Sequence, residues 1–299
     1  MEISFIISYF FRERRCAIMN RGLVFAMLSS LMFSFMNVLV KEASHTLGTG
    51  EIIFVRSIIS IFMILLIMRI GKIKFSHKDR GTLIFRGVVG GMSMCLIFLA
   101  VSGMHLGDAS ILQQLSAFFV LIISAIYLKE KLPSHTIIPL IIIVLGTCLI
   151  LRPWEYNSFS VYALFAIASA FTGAVVYTTI HKLFENGGHT SWEVIFYLFL
   201  CSVFIGLAMM YNNHHMPTRY EWFLLLGIAL TSLFGQNFMT QAYEFANQVL
   251  VSFVMYLGVF FNALWGYVFF GEIMHTLSVI GGVLVIGSSI YLSHKKAHK

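Results

Sequence analysis

Residues 51–69 read EIIFVRSIISIFMILLIMR, and Arg56 is the one charged residue between the two ends of this stretch. An α-helix rises about 1.5 Å per residue, so about 20 apolar residues cross the roughly 30 Å hydrocarbon core of a bilayer. A strand of a membrane barrel would instead alternate polar and apolar residues. The stretch therefore predicts a membrane-spanning helix.

The whole chain has the same character. Of its 299 residues, 59% are hydrophobic and only 11% are charged, whereas about 25% are charged in a typical soluble protein. The surface must therefore face lipid. The net charge of +7 does not indicate a nucleic-acid partner, because the basic residues form short clusters between apolar runs rather than one basic face.

Ten such runs occur along the chain, and the fold class we predict is an all-α integral membrane protein. Barrel-like alternation is absent from every run, and unpaired backbone groups cannot face lipid, so each run is predicted to be a helix. The predicted spans are 22–40, 51–69, 83–104, 108–128, 134–151, 159–180, 192–211, 220–241, 248–270 and 275–293.

The basic residues also predict the orientation of the chain. With both termini in the cytoplasm, 16 of the 20 Lys and Arg residues fall on the inner side, and only Lys41, Arg152 and Arg219 fall outside. Loops on the cytoplasmic side carry this kind of excess. We expect a multi-pass protein of the bacterial inner membrane, with residues 1–19 as a cytoplasmic tail that is too short to span; translation starting at Met19 is the alternative.

The second half of the sequence repeats the first. At an offset of 142, residues 51–54 (EIIF) match 193–196 (EVIF), residues 118–119 (FF) match 260–261 (FF), and Glu130 matches Glu272. We predict one repeat in 20–156 and another in 157–299, the latter including the basic C-terminal tail. Five helices is an odd number, so the repeats should insert in opposite orientations, as in alternating-access transporters.

These features resemble the EamA-type permeases of the drug/metabolite transporter superfamily. The resemblance rests on Arg56, on the segment from residues 107–110 (GDAS) to 128–130 (LKE), and on its counterpart from Ala246 to residues 271–272 (GE). It covers roughly residues 20–295 and implies a central cavity lined by helices 1, 3, 4, 6, 8 and 9. Members of the superfamily carry amino acids, nucleotide-related metabolites, amines and drugs, so the substrate stays open.

The chain departs from the family pattern at two places. The family often has proline after the leucines of helices 4 and 9, where this chain has Ala117 and Val259. The resemblance therefore gives no basis for a proline-dependent kink in either helix.

Polar residues inside the spans are the best candidates for substrate contact, because a polar group in a membrane needs a partner or a wet cavity. The alternative is that they join helix to helix. The repeat pairs Gln114 with Tyr256, and only one of two adjacent glutamines is expected to point inward. The candidates are Asn37, Gln113, Gln114, Tyr177, Gln236, Asn237, Tyr256 and Asn262.

Arg56 is a further substrate-binding candidate, because a guanidinium binds carboxylate or phosphate in a bidentate manner. The favoured alternative is that it reaches the outer surface or binds carbonyl groups at a helix end.

No acidic residue is predicted near the middle of the membrane, where a proton-coupled pump usually keeps one. We therefore expect facilitated transport or exchange of a neutral, zwitterionic or anionic solute. We expect no catalytic residues, metal site or cofactor, and the cysteines are interpreted as small buried residues. Gly87 and Gly91 indicate close helix packing, within a monomer or between the subunits of a homodimer.

The leading hypothesis is a transporter of small organic metabolites, amino-acid-like or nucleoside-like, that works by alternating access. A multidrug exporter of the same fold and, from a different class, an intramembrane enzyme are the alternatives.

Overall fold

The computed structural model describes residues 2–76, 78–116, 118–120, 122–123, 137–151, 160–185, 188–210, 216–246, 251 and 254–297. In this part of the chain there are ten helices and no strand, which confirms the all-α prediction. The helices are α1 (Glu2–Ala43), α2 (Thr49–Ile70), α3 (Arg80–Gly103), α4 (Leu106–Gln113), α5 (Ile137–Leu151), α6 (Val161–Glu185), α7 (Ser191–Met210), α8 (Arg219–Phe245), α9 (Leu257–Phe270) and α10 (Thr276–Ala297).

The helices have the composition of an integral membrane protein. Within the described residues, six are long and apolar enough to cross a bilayer, namely those that contain Arg21–Ala43, Thr49–Ile70, Arg80–Gly103, Val161–Ile180, Ser191–Met210 and Arg219–Phe245. Large apolar side chains cover the outside, with Phe62 70% exposed and Phe223 72% exposed. An exterior of this kind is stable in lipid rather than in water.

Helix α1 is longer than the span predicted for it. It begins at Glu2, so residues 2–19, which were predicted to form a tail, are helical and continuous with the first span. The predicted inner segment from Lys129 to Lys131 lies outside the described residues.

Glycines set the closest helix contacts. A Cβ atom on Gly87 of α3 would lie 2.5 Å from the carbonyl oxygen of Tyr197 in α7, and one on Gly91 would lie 2.7 Å from Cδ1 of Ile205. A Cβ on Gly206 of α7 would lie 2.6 Å from the backbone nitrogen of Phe54 in α2. The Gly87–Gly91 stripe therefore packs inside the chain, against α7.

Helix α8 packs on α1 in the same way. A Cβ on Gly235 would lie 3.0 Å from the ring of Phe33, and one on Gly227 would lie 2.9 Å from Cδ1 of Leu39. Helix α5 packs on α10 through Gly146 and Gly281, whose added Cβ atoms would each lie within 2.8 Å of the other's carbonyl oxygen. The remaining major pairings are α2 with α7, α3 with α6, α1 with α9 and α4 with α9.

Helices 4 and 9 are interrupted although neither has the family's proline. Helix α4 ends at Gln113, turns at residues 114–115, and helical residues resume at Ser116. Helix α9 begins at Leu257, after a turn at Tyr256 that follows helical residues 254–255. The predicted spans 108–128 and 248–270 are interrupted at these two places, because a tighter turn replaces regular α-helical bonding. The Leu115 amide donates to the carbonyl of Leu112 and the Val259 amide to that of Tyr256.

Candidate substrate-binding site

The two interruptions face each other. The side-chain Nε2 of Gln114, at the end of α4, donates a hydrogen bond to the carbonyl oxygen of Met255 at 3.1 Å. That carbonyl lies beside Tyr256, at the break before α9. A break leaves backbone groups without helical partners, and a polar side chain can satisfy them. Gln114 therefore pairs the interruption of one helix with the interruption of the other.

Three buried polar side chains are hydrogen-bonded together near these breaks, two of them on the interrupted helices and one on α1. Asn37 of α1 donates from Nδ2 to Oδ1 of Asn262 in α9 at 3.0 Å. The Nδ2 of Asn262 donates to the hydroxyl of Ser110 in α4 at 3.3 Å and to the carbonyl of Gly258 at 2.7 Å. All three side chains are at most 5% exposed. We call Asn37, Asn262 and Ser110 the amide triad.

The amide triad retains hydrogen-bonding capacity. The Oδ1 atom of Asn37 is buried and has no hydrogen-bond partner among the described residues. Nearby, Nε1 of Trp265 donates to the hydroxyl of Ser34 at 3.1 Å, and the rings of Trp265 and Phe35 stack with their centroids 4.8 Å apart. The site thus combines neutral polar groups with an aromatic wall.

The other predicted residues lie apart from the amide triad. Gln236 and Asn237 of α8 are buried, and their side-chain oxygens have no hydrogen-bond partner in the described part of the chain. The hydroxyl of Ser29 in α1 bonds the carbonyl of Gly235 at 2.9 Å. Ser29 precedes Asn37 by two turns, about 12 Å of helix, so the α8 amides lie nearer the opposite end of α1.

Tyr177, Tyr256 and Gln113 complete the set of predicted polar residues. The ring of Tyr177 in α6 lies 5.5 Å from that of Tyr243 in α8, which places it near the α8 amides. Tyr256 is partly buried at the start of α9. The side chain of Gln113 has no hydrogen bond to any described residue, whereas that of Gln114 bonds to Met255. That one glutamine of the pair points inward stays a prediction.

Arg56 does not contact the amide triad. It is fully buried, and its Nη1 donates to the hydroxyl of Ser232 in α8 at 3.0 Å. Its guanidinium carbon lies 4.7 Å from the centre of the Phe98 ring and 5.5 Å from that of Phe199. The favoured interpretation, a side chain that reaches the outer surface or binds helix-end carbonyls, was wrong. Arg56 instead joins α2 to α3, α7 and α8.

Sequence reasoning missed a second buried arginine. Arg86 was assigned to the inner flank of helix 3, but it is 1% exposed and its Nη1 donates to the carbonyl of Val194 at 3.2 Å. The sequence did carry a signal, because Arg86 stands directly before the close-packing Gly87.

Four described carboxylates lie where the sequence placed them, near helix ends. Glu51, Asp108, Glu193 and Glu221 each lie in the first turn of a helix. The free amide groups and the positive end of the helix dipole stabilise an anion there. A charged carboxylate at this position needs no function in transport.

A cavity of about 390 Å³ lies elsewhere, between α3 and α7. Its walls include Ile84, Val88 and Phe204, which are 49%, 42% and 65% exposed. Such a groove faces lipid and contains none of the predicted polar residues, so we do not assign it to substrate.

Known proteins are similar to this chain over nearly its whole length. The profile of the EamA-like transporter family matches residues 20–152 and again residues 160–293. The pseudopaline exporter CntI of Pseudomonas aeruginosa is 38% identical over 93% of this chain and 98% of its own length. A riboflavin transporter of Brucella anthropi is 24% identical over 87% of this chain and 94% of its own. A crystal structure with 14% sequence identity matches this fold with a TM-score of 0.63, over 92% of this chain and 98% of that one.

Proposed function

The chain belongs to the EamA-like transporter family, and on this premise we propose that it exports a small polar organic metabolite, with pseudopaline as the first compound to test. The exporter of that compound is similar over nearly the whole length of both chains. Riboflavin, named for a more distant relative, is the second compound to test.

The observation that carries the proposal is the pairing of two interrupted helices next to buried amides. Transporters commonly bind substrate where spanning helices are discontinuous, because backbone groups are free there. Here the breaks at Gln114 and Tyr256 are joined by the bond from Gln114 to Met255. Ser110 and Asn262 of the amide triad lie within two turns of them, and Asn37 bonds Asn262.

Neutral amides and hydroxyls determine the class of solute. They donate and accept hydrogen bonds without fixing a charge, and no acidic residue belongs to the amide triad. A neutral, zwitterionic or anionic metabolite therefore suits the site better than a simple cation. Multidrug export is less well supported, because a purely aromatic cavity would suit it better than a buried set of amides.

The proposed mechanism is alternating access between two inverted repeats, 20–156 and 157–299. The family profile matches once within each repeat. Each helix of the first repeat has a counterpart five helices later in the second. If every helix is replaced by its counterpart, the pairing of α1 with α8 becomes that of α6 with α3, and both pairings occur. The pairings α2 with α7, α4 with α9 and α5 with α10 map onto themselves. This reciprocity supports two halves that can exchange conformations.

Transport into proteoliposomes of the purified protein tests the proposal. We expect saturable movement of pseudopaline, with riboflavin in a parallel assay, and no requirement for a pH gradient. Movement that appears only with the gradient would contradict the uncoupled mechanism, and movement of unrelated organic cations alone would favour the multidrug alternative. If Gln114→Ala, Tyr256→Phe and Asn262→Ala all left the saturation constant unchanged, the site would be wrong.

A further inference from the structure

One ion pair joins three chain segments near the amide triad. The Nζ of Lys41, in the last turn of α1, is paired with Oε1 of Glu272 and donates to the carbonyl of Met104 at 2.7 Å. The other carboxylate oxygen of Glu272 accepts a hydrogen bond from the backbone nitrogen of Leu106 at 2.9 Å. The end of α1, the corner between α3 and α4, and the turn after α9 are thereby held together.

The backbone conformation around Glu272 positions its carboxylate against Gly266. Gly271 has a φ of +63°, a left-handed conformation that glycine adopts readily. The amide of Glu272 donates to the carbonyl of Gly266 at 3.0 Å. A Cβ on Gly266 would lie 2.7 Å from Oε2 of Glu272, so the carboxylate occupies space that a side chain would fill. The ring of Phe270 adds a contact, 5.4 Å from Nζ of Lys41.

The ion pair lies one helical turn beyond the amide triad on the same helices. On α1, Lys41 follows Asn37 by four residues, and on α4, Leu106 precedes Ser110 by four. On α9, Gly266 follows Asn262 by four. One turn is about 5.4 Å, so the Lys41–Glu272 bridge covers the amide triad at one end of the molecule.

We infer that the Lys41–Glu272 bridge is a latch that holds this end of the transport path closed. The inference rests on the proposed function, since a path exists only in a transporter. Its location makes the latch reversible: the two side chains are 12% and 9% exposed, so water can solvate both charges once the helices separate. A pair at the centre of the membrane would lose its partner without gaining water.

The test measures access to the amide triad and needs no substrate. A reporter cysteine at Ser110 is placed in full-length protein whose four natural cysteines are replaced by alanine. The rate of its reaction with a membrane-impermeant maleimide is measured in right-side-out and, separately, in inverted membrane vesicles. The orientation predicted from the basic residues places the latch on the outside.

Lys41→Gln and Glu272→Gln should each raise the labelling rate in right-side-out vesicles about tenfold, because the closed state loses its ion pair. Lys41→Arg keeps the charge and should label as slowly as the parent. Glu42→Gln is the matched control, because it removes one negative charge, as Glu272→Gln does, at the residue next to Lys41. Glu42 accepts a hydrogen bond from Tyr220 of α8 and does not cover the amide triad. This variant should also label slowly.

Equal labelling rates in the parent, Lys41→Gln and Glu272→Gln would overturn the latch, and so would a parent that already labels rapidly. An increase confined to inverted vesicles would support the latch and contradict the predicted orientation. Absence of pseudopaline and riboflavin transport together with the expected labelling pattern would count against the proposed substrates alone.

Discussion

At the scale of single residues, several of the few polar side chains form hydrogen bonds between helices. One amide, that of Asn262, bonds Asn37 of α1, Ser110 of α4 and a carbonyl of its own helix. Interhelical bonds of this kind contribute about 0.6 kcal/mol each on average in membrane proteins. Stability alone therefore gives little reason to bury three polar groups together, whereas solute recognition gives a good one.

Replacing Asn262 by alanine should impair transport more than folding. The change removes the bonds to Asn37 and Ser110, and we expect transport efficiency to fall about tenfold, or about 1.4 kcal/mol. Initial rates of pseudopaline transport at several concentrations measure this. Leu264→Ala is the matched control, since Leu264 is 39% exposed on the same helix. Equal loss in both variants would show that the effect is only structural.

Arg56 should matter for stability rather than for substrate affinity. Arg56→Ala leaves a cavity among Phe98, Phe199 and Ser232, and we expect it to destabilise the protein by about 2–4 kcal/mol. Arg56→Met fills most of that volume without a buried charge, so it should cost less than about 1.5 kcal/mol. Thermal unfolding in detergent measures both effects. A raised saturation constant for transport in both variants, with stability unchanged, would instead support substrate binding by Arg56.

The sequence indicated the buried polar residues of the candidate site better than their partners. Asn37, Gln114 and Asn262 stand out because each is polar within an apolar run. Their bonds could not be predicted, since Asn37 and Asn262 lie 225 positions apart and hydropathy contains no information on which helices adjoin. The orientation of Arg56 was missed for the same reason: a charge count locates an arginine but not the rings around it.

At the scale of helices, length and hydropathy predicted the bounds of several spans but neither their continuity nor the early start of α1. The predicted span 51–69 corresponds to α2 (Thr49–Ile70), and 192–211 corresponds to α7 (Ser191–Met210). The interruptions at Gln114 and Tyr256 were not predicted, because proline was the expected signal and is missing there. The 142-residue offset relates Gln114 to Tyr256, so the repeat indicated that these two positions correspond, whereas the composition did not.

Gly87→Ala should disturb the packing of α3 on α7. The added Cβ would lie 2.5 Å from the carbonyl of Tyr197 and 2.8 Å from the sulfur of Cys201, and overpacking costs typically about 1–3 kcal/mol. Gly81→Ala, on the same helix, is the control, because no heavy atom lies within 4 Å of its added Cβ. Thermal unfolding of the purified variants should show a loss only for Gly87→Ala. Equal stability of the two would contradict the close approach.

At the scale of the whole molecule, the pairings between helices organise the bundle. Contact between α1 and α8 is matched by contact between α3 and α6, the broken helices α4 and α9 pack on each other, and so do α5 and α10. The apolar exterior and the number of helices could be predicted from composition. The pairings depend on small residues such as Gly235 and Gly281 meeting across helices, which a linear pattern does not specify.

The predicted orientation can be tested at two exposed loop positions. A cysteine at Ile273, which is 75% exposed after α9, should react with an impermeant maleimide added outside intact cells. A cysteine at Lys74, between α2 and α3, should react only after the cells are permeabilised. The positive-inside bias is the physical reason. Reaction of both cysteines in intact cells would contradict the proposed arrangement.

The two buried arginines have a consequence for selectivity. Neither Arg56 nor Arg86 has a carboxylate within ion-pair distance among the residues that the structure describes. A unit charge raises the energy of another positive charge 10 Å away by about 1.7 kcal/mol at an effective dielectric constant of 20. We therefore expect these two charges to favour anionic solutes over metal cations and alkylammonium ions before any of them touches a binding group.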